Sequence, residues 1–315
     1  MAKITIIGTG SVGSTIAYTL TVMGLASKIV MIDINNKKAS GEALDIQQGT
    51  PFCSSCTVYA GTYEDADDSD IVIITSGSAR KPGQTRLDLA QINVNILKSI
   101  IPEITKYAPE ATYIIVSNPV DILTYVFCKY SNIPQERIIG SGTILDTARV
   151  RAHLSEIYSI NQRNIHAYVM GEHGDSSFVP WSLANISNVP IEDYSSSVVR
   201  ADGKTFPDLD FDECERFVRE SGARVIENKG ATYYAVAVSV CHICRSLMSG
   251  IDTPLTVSTM LNGEYGIEDV CLSLLNVVGR HGTTSKLLLP LSDKELIKLR
   301  KSADCLKEVI KELDL

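Results

Sequence analysis

The chain has 315 residues, enough for two domains of roughly 150 residues each. Its 29 basic and 37 acidic residues give a formal charge of −8, which opposes the phosphate contacts that hold nucleic acids. The longest apolar runs fall well short of the roughly 20 residues that a membrane span needs, and no signal peptide is visible. We therefore expect a cytoplasmic protein with no nucleic-acid or membrane partner and with its eight cysteines reduced.

Short β-branched runs alternate with helical stretches through the first half of the chain. The runs lie at 4–7, 29–32, 70–75 and 113–116, and the helical stretches include 11–23 and 87–107. Such alternation is typical of βαβ units with a parallel sheet. We predict an α/β fold with a Rossmann-type doubly wound parallel sheet, which forms a nucleotide-binding domain over residues 1–142.

The pattern changes near Thr143. A predicted helix over 143–158 is followed by short strands near 165–170 and 257–267, and by long helices over 211–249 and 293–313. This indicates a second, α+β domain over residues 143–315, which would bind the substrate. Because no linker, repeat or low-complexity tract separates the two domains, we expect them to share one body with a cleft.

A glycine-rich turn follows the first predicted strand and opens the first predicted helix. Gly8, Gly10 and Gly13 fit the G-x-G-x-x-G pattern, in which glycines allow a pyrophosphate to approach the helix N-terminus. Asp33 stands 20 residues past Gly13, at the end of the next strand, where a carboxylate can bind ribose hydroxyls and repel a 2′-phosphate. This combination predicts NAD rather than NADP, and the alternative is a structural turn with a solvated aspartate.

Two cysteine pairs have the spacing of a zinc half-site, Cys53 with Cys56 and Cys241 with Cys244. The first pair lies among serines and threonines, and the second lies in an apolar helical stretch where cysteine commonly serves as a small apolar residue. No histidine has a matching spacing, so we expect no metal site.

A single histidine, His173, stands between glycines in a polar turn, an exposed setting in which an imidazole can titrate near neutrality. Asp146 and Arg149 are three residues apart, so they project from one face of a helix. Asp146 could accept the imidazole N–H and stabilise the imidazolium, while Arg149 could grip a substrate carboxylate. The alternative is an ion pair within the helix.

The segment 77–86 is rich in glycine and basic residues and follows the strand at 70–75. Ligands of doubly wound sheets bind beyond the carboxyl ends of the strands, where this segment and Asn118 would both lie. The segment is typical of a mobile basic lid, whose closure would exclude water and bring an arginine onto a carbonyl group. The alternative is a charged surface loop.

These motifs resemble the lactate/malate dehydrogenase family in order and spacing, over essentially the whole chain. The matching segments are GTGSVG at 8–13, SNPVD at 117–121, LDTAR at 145–149 and GEHGDS at 171–176. The resemblance implies an NAD-dependent 2-hydroxy-acid dehydrogenase in which His173 donates and accepts the proton and Asp146 orients it. Arg149 would bind the carboxylate, Arg86 would polarise the carbonyl, and Asn118 would position substrate and nicotinamide. The cofactor contacts expected are Gly8, Gly10, Val12, Gly13, Asp33, Gly77 and Asn118.

The choice of substrate depends on conflicting features. The resemblance places Arg80 at the lid position that discriminates substrates, where lactate-type members carry glutamine and malate-type members carry arginine. A cation there would pair with the second carboxylate of oxaloacetate and stay unpaired beside the methyl group of pyruvate. Glu172, Trp181 and Thr232 instead resemble lactate-type members, and Thr232 would narrow the substrate pocket. We expect pyruvate and L-lactate as the substrate pair, with oxaloacetate and malate as the alternative.

Arg151 and His166 match positions at which bacterial lactate-type members bind fructose 1,6-bisphosphate between subunits. One subunit supplies two cations, so a two-fold interface would bring four together around the phosphates. We therefore expect a homo-oligomer, in particular a homotetramer, that responds to this effector. A protein of another class, a non-catalytic NAD-binding regulator, is disfavoured because His173, Asp146, Arg149 and Arg86 are all present.

Overall fold

In the described part of the amino-terminal half, six parallel strands form one sheet. The structure, a computed structural model, describes residues 2–79 and 83–315. The strands are β1 (Lys3–Ile7), β2 (Lys28–Ile32), β3 (Thr57–Ala60), β4 (Ile71–Ile74), β5 (Thr112–Ile115) and β6 (Ile138–Gly140). The helices that connect them are α1 (Ser11–Val22), α2 (Asn36–Gly49), α3 (Arg86–Tyr107) and α4 (Val120–Tyr130).

The strand order is β6-β5-β4-β1-β2-β3, which is that of a doubly wound sheet. All four residues of β4 and the last four of β1 are buried, as expected for strands covered by helices on both faces. The direction of winding reverses between β1 and β4, and ligands of such sheets bind beyond the carboxyl ends of the strands at this reversal. The predicted fold class is confirmed, and the glycine turn after β1 lies at the expected edge.

The carboxy-terminal half combines helices with antiparallel strands. Its helices are α5 (Ile144–Tyr158), α6 (Ile191–Ser197), α7 (Phe211–Lys229), α8 (Tyr234–Met248) and α9 (Asp293–Glu312). A small antiparallel sheet contains β7 (Ile165–His166), β8 (Asn185–Ile186) and β9 (Val189–Pro190). Three longer strands follow in the chain, β10 (Thr253–Asn262), β11 (Glu268–Gly279) and β12 (Gly282–Leu287).

The three longer strands extend the parallel sheet instead of forming a separate one. β10 pairs with β6 in the antiparallel direction at Ser258 and Gly140, so that one sheet of nine described strands crosses both halves of the molecule. A Cβ atom on Gly140 would lie 2.3 Å from Thr124 Oγ1 and 2.9 Å from Ser258 Cβ. Glycine is therefore required where α4 and β10 approach this strand.

Three predicted elements are wrong in extent: the strand near 165–170 covers only Ile165–His166, and glycines explain the other two differences. The single helix predicted over 211–249 is two helices, because Gly230 ends α7 in the left-handed conformation at φ +83°. The strand predicted over 257–267 lies at 253–262, because Gly263 adopts φ +118° and turns the chain.

The two halves share buried side chains. One apolar cluster contains Ile7 and Val94 from the first half together with Leu272 and Leu299 from the second. A second cluster joins the opposite side of the parallel sheet to α8. Within residues 2–79 and 83–315, no helix is both long and apolar enough to cross a bilayer.

Candidate active site

The glycine turn has the geometry of a ligand cradle. Gly8 adopts φ +101°, and a Cβ atom there would lie 2.7 Å from the backbone nitrogen of Ser76. A Cβ atom on Gly13 would lie 1.9 Å from the carbonyl oxygen of Gly8, so this glycine lets α1 pack on the turn. Gly10, by contrast, has no described atom within 4 Å of its Cβ direction, so a ligand can approach the first turn of α1 there.

Asp33 lies beside this turn with a carboxylate that is oriented and ionised. Oδ2 accepts hydrogen bonds from the backbone N–H of Thr9 at 2.7 Å and from its hydroxyl at 3.1 Å, and Oδ1 accepts from the N–H of Asn35. Partial burial alone would raise the pKa of Asp33, but these bonds outweigh it and hold the pKa below its usual value. Asp33 therefore braces the glycine turn and still presents an anion at the end of β2.

Asn93, a residue that the sequence analysis missed, links the segment that begins at Gly77 to the residues that follow β5. The side chain of Asn93 is buried in α3; Oδ1 accepts from Ser78 N–H at 2.7 Å, and Nδ2 donates to the carbonyl oxygen of Asn118 at 2.7 Å. Gly77 lies against the same side chain. Two of the predicted cofactor contacts, Gly77 and Asn118, thus lie against the same side chain. A third, Val12, is half-buried in the first turn of α1, directly before Gly13.

One carboxylate joins the three central residues of the site. Asp146, in the first turn of α5, accepts a hydrogen bond from Arg149 Nη1 on Oδ1 at 2.8 Å, and its Oδ2 lies 2.6 Å from His173 Nδ1. The side chains of Asp146, Arg149 and His173 are 7%, 17% and 28% exposed. Asp146 thus contacts His173 through one oxygen, and through the other it forms with Arg149 the ion pair within the helix that was the alternative interpretation.

The charges in this group shift both titrating residues toward their ionised forms. The charge of Asp146 raises the pKa of His173 to about 9, against the opposing effect of burial. Burial would raise the pKa of Asp146, but the charges of His173 and Arg149 lower it below its usual value. At neutral pH the pair is therefore an imidazolium beside a carboxylate, with Nε2 the ring nitrogen left to face a substrate.

The expectation of an exposed His173 that titrates near neutrality is wrong. The backbone of the turn is held by groups far away in sequence: Gly171 pairs with Ser273 of β11, and the N–H of Glu172 donates to Ser302 Oγ of α9 at 2.7 Å. The N–H of His173 donates to Asp121 Oδ2 of α4 at 2.7 Å. These contacts hold the turn against α4, α9 and β11, so that His173 is largely buried. There the charge of Asp146 is the main cause of its raised pKa.

Two other predicted site residues, Arg86 and Thr232, lie on elements outside this group. Arg86 begins α3, and its Nη1 lies 2.5 Å from Asp175 Oδ2, two residues past His173; both side chains are about three-quarters exposed. Thr232 is half-buried in the turn between α7 and α8. Arg80 lies outside the described residues.

Arg151 and His166 lie on the adjoining elements α5 and β7. Arg151, on α5, donates from Nε to the carbonyl oxygen of Ala167 at 3.0 Å, and its guanidinium lies 4.8 Å from the ring centre of Tyr168. His166 is the exposed last residue of β7, directly before Ala167. The two predicted effector ligands are therefore neighbours in space.

The cysteine pairs lie in different surroundings. Cys53 is half-buried in the segment that precedes β3, and Cys56 is buried. Cys241 and Cys244 are fully buried in α8 against the apolar cluster on that side of the sheet. Each is a free thiol, and Cys241 and Cys244 serve as small apolar residues.

Comparison with known proteins covers the full length of the chain. Residues 2–140 match the family model of the lactate/malate dehydrogenase NAD binding domain, and residues 143–314 match that of the alpha/beta C-terminal domain. The chain is 50% identical to an L-lactate dehydrogenase of Thermoanaerobacter pseudethanolicus over 315 residues, which is 100% of both chains. An L-lactate dehydrogenase of Acetivibrio thermocellus is 47% identical over 313 residues, 99% of this chain and 98% of the relative.

Solved structures agree with the sequence relatives. The minor L-lactate dehydrogenase of Enterococcus mundtii, in a ligand-bound form, superposes with a TM-score of 0.93 at 35% identity and covers 100% of this chain and 99% of that one. The glycine turn and Asp33 fall within the first matched domain, and the group around Asp146 falls within the second. The chain therefore belongs to the lactate/malate dehydrogenase family, and it is an NAD-dependent oxidoreductase.

Proposed function

We propose that this protein reduces pyruvate to L-lactate with NADH and catalyses the reverse oxidation with NAD. The observation that carries the proposal is the carboxylate of Asp146, which holds His173 and Arg149 on its two oxygens. A protonated imidazole beside a guanidinium supplies the acid and the carboxylate anchor that reduction of a 2-oxo acid requires. The relatives named L-lactate dehydrogenase support pyruvate as the substrate.

The cofactor is assigned to the edge formed by the glycine turn. Gly10 leaves space for a pyrophosphate at the first turn of α1, and Asp33 offers a carboxylate to the ribose hydroxyls. We assign further contacts to Val12, Gly77 and Asn118. Bound there, NADH supplies the hydride that reduces the carbonyl carbon.

His173 supplies the proton in the direction of reduction. Its pKa of about 9 keeps the imidazole protonated at neutral pH, and Nε2 gives its proton to the substrate oxygen while Arg149 holds the carboxylate. Arg86 is assigned to polarise the carbonyl group, which requires it to exchange Asp175 for the substrate. Because both side chains of that ion pair are largely exposed, the exchange costs little free energy.

Arg80 is the observation that favours a second substrate, oxaloacetate. We expect wild-type protein to prefer pyruvate, and we expect Arg80→Gln to raise the ratio of kcat/KM for pyruvate to that for oxaloacetate by about 5- to 150-fold, or 1 to 3 kcal/mol. The reason is that a lid cation interacts with the second carboxylate of oxaloacetate alone. Initial rates with both 2-oxo acids measure the ratio, and Lys81→Gln is the control for loss of a neighbouring charge.

The outcomes separate the alternatives. A wild-type preference for oxaloacetate would show that Arg80 dominates the lactate-type features and that the protein is a malate dehydrogenase. No turnover of NADH with either acid would favour the non-catalytic regulator. If Arg80→Gln changes neither rate while pyruvate is preferred, the guanidinium does not face the substrate.

We also propose that fructose 1,6-bisphosphate activates the enzyme through Arg151 and His166, because Arg151 donates to the carbonyl oxygen of Ala167, the residue that follows His166. We expect saturating effector to lower KM for pyruvate by about 5- to 150-fold, the usual range of allosteric coupling. Arg151→Gln and His166→Gln should each abolish the response without changing the basal rate, because each removes a proposed phosphate ligand. Arg163→Gln, an exposed cation nearby in the chain, should keep it; an equal response in all variants would refute the site.

The quaternary structure, domain division and location remain predictions. We propose a homotetramer, which is supported by exposed apolar side chains on neighbouring helices α1, α2 and α8, among them Tyr18, Leu44 and Val238. The division at residues 142 and 143 is supported by the two family matches on either side of it. The cytoplasmic location rests on the sequence alone.

A further inference from the structure

A second buried carboxylate contacts the turn that carries His173. Asp121 lies in the first turn of α4 and is 2% exposed. Its Oδ2 accepts the backbone N–H of His173 at 2.7 Å, and its Oδ1 accepts the hydroxyl of Ser258, on β10, at 2.5 Å. Asp121 thus connects α4, β10 and the turn at one point.

A charge at this position needs an explanation, because burying a carboxylate costs more than burying a neutral side chain of the same shape. An asparagine could accept the N–H of His173 through its amide oxygen and donate to Ser258. Hydrogen bonding alone therefore does not require an ionised group. What a carboxylate adds is a negative charge next to a residue that must stay protonated.

We propose that Asp121 is a positioning residue for the reaction, which fixes the backbone of His173 and supplies a second negative charge that keeps the imidazole protonated. This inference rests on the proposed role of His173 as the proton donor. Asp146 orients the ring through Nδ1, while Asp121 holds the main chain from which the ring projects. Two carboxylates on different helices thereby set the position and the charge of one imidazole.

The surrounding charges are consistent with this division of roles. Burial raises the pKa of Asp121 to about 6, so its carboxylate is ionised from neutral pH upward and protonated in acid. Asp121 is therefore charged over the pH range near 9 in which His173 titrates, and its charge favours the imidazolium there. The other titratable groups that act on Asp121 or His173 come from α5, the 171–175 turn and β11: Asp146, Arg149, Glu172 and Cys271.

The test is the pH profile of kcat/KM for pyruvate reduction at saturating NADH, in wild type and in Asp121→Asn. We expect the alkaline pKa to fall by about one unit in the variant. The rate would then fall about fivefold at pH 9 and by less than about a tenth at pH 7, from the fraction of imidazole protonated. Asp269→Asn, which removes a surface carboxylate that pairs with the far end of α4, should leave the profile unchanged.

Two further measurements keep the outcome interpretable. NADH fluorescence and thermal unfolding report whether the variant is folded and binds cofactor, and Asp121→Ser serves if the amide does not fit. An unchanged pKa in a folded variant, while His173→Asn is inactive, would overturn this inference alone. An active His173→Asn variant would instead overturn the proposed function.

Discussion

Replacing His173 by asparagine should lower kcat for pyruvate reduction by about two to four orders of magnitude, the usual contribution of a general acid. Asparagine keeps a polar group that can reach Asp146 but has no proton to give at neutral pH. The Kd for NADH should change little, because the glycine turn and Asp33 lie on other elements. Stopped-flow absorbance of NADH gives the rate, and cofactor fluorescence gives the Kd.

The matched control for this variant is His281→Asn, which alters an exposed histidine in the turn between β11 and β12. It should retain the wild-type rate. If His173→Asn keeps more than about a tenth of wild-type kcat, another group donates the proton and the assignment of the acid is wrong.

Asp146→Asn should lower kcat/KM by about two to four orders of magnitude, because one side chain serves both His173 and Arg149. The charge of Asp146 is the largest cause of the raised pKa of His173, so the alkaline limb of the reduction profile should move from about 9 toward 6.5. KM for pyruvate should rise as well, because Arg149 loses the partner that orients its guanidinium. Rates across pH 5.5–10 measure both effects, and Asp304→Asn on the exposed face of α9 is the control.

The ion pair of His173 and Asp146 should also make the free energy of unfolding depend on pH. The pKa of His173 is raised in the folded protein, so its contribution to the free energy of unfolding is complete below about pH 6.5 and is lost as the pH rises through about 9. Urea unfolding of wild type at pH 6.5 and 9.5 should show this loss, and Asp146→Asn should reduce it. Equal pH dependence in the two proteins would mean that the ion pair does not set the pKa.

For the lid segment 77–86, the sequence predicted the location but not the contacts that hold it. Its composition and its place after β4 predicted a ligand-binding segment, and Thr85 begins α3 with a capping box that can be read from Thr85 and Asp88. The attachment of the lid through Asn93 could not be predicted, because an asparagine inside a helix has no local pattern that names its partner. The same holds for Asp121, an acid in the first turn of a helix, because its contact with the backbone of His173 joins residues 52 apart in the chain.

What the sequence determined by itself is local in the chain. Gly8 and Gly13 allow a turn that other residues would strain or block, and the spacing of Asp146 and Arg149 puts both on one helix face. Two features depend on the tertiary structure: the protonated state of His173, and the pairing of β6 with β10 that joins the two halves in one sheet. Those outcomes depend on contacts between Asp121, Asp146 and the turn, and between β6 and β10, whose partners are distant in sequence. A pKa responds to the burial and charge around a group in space, and only the folded chain brings these together.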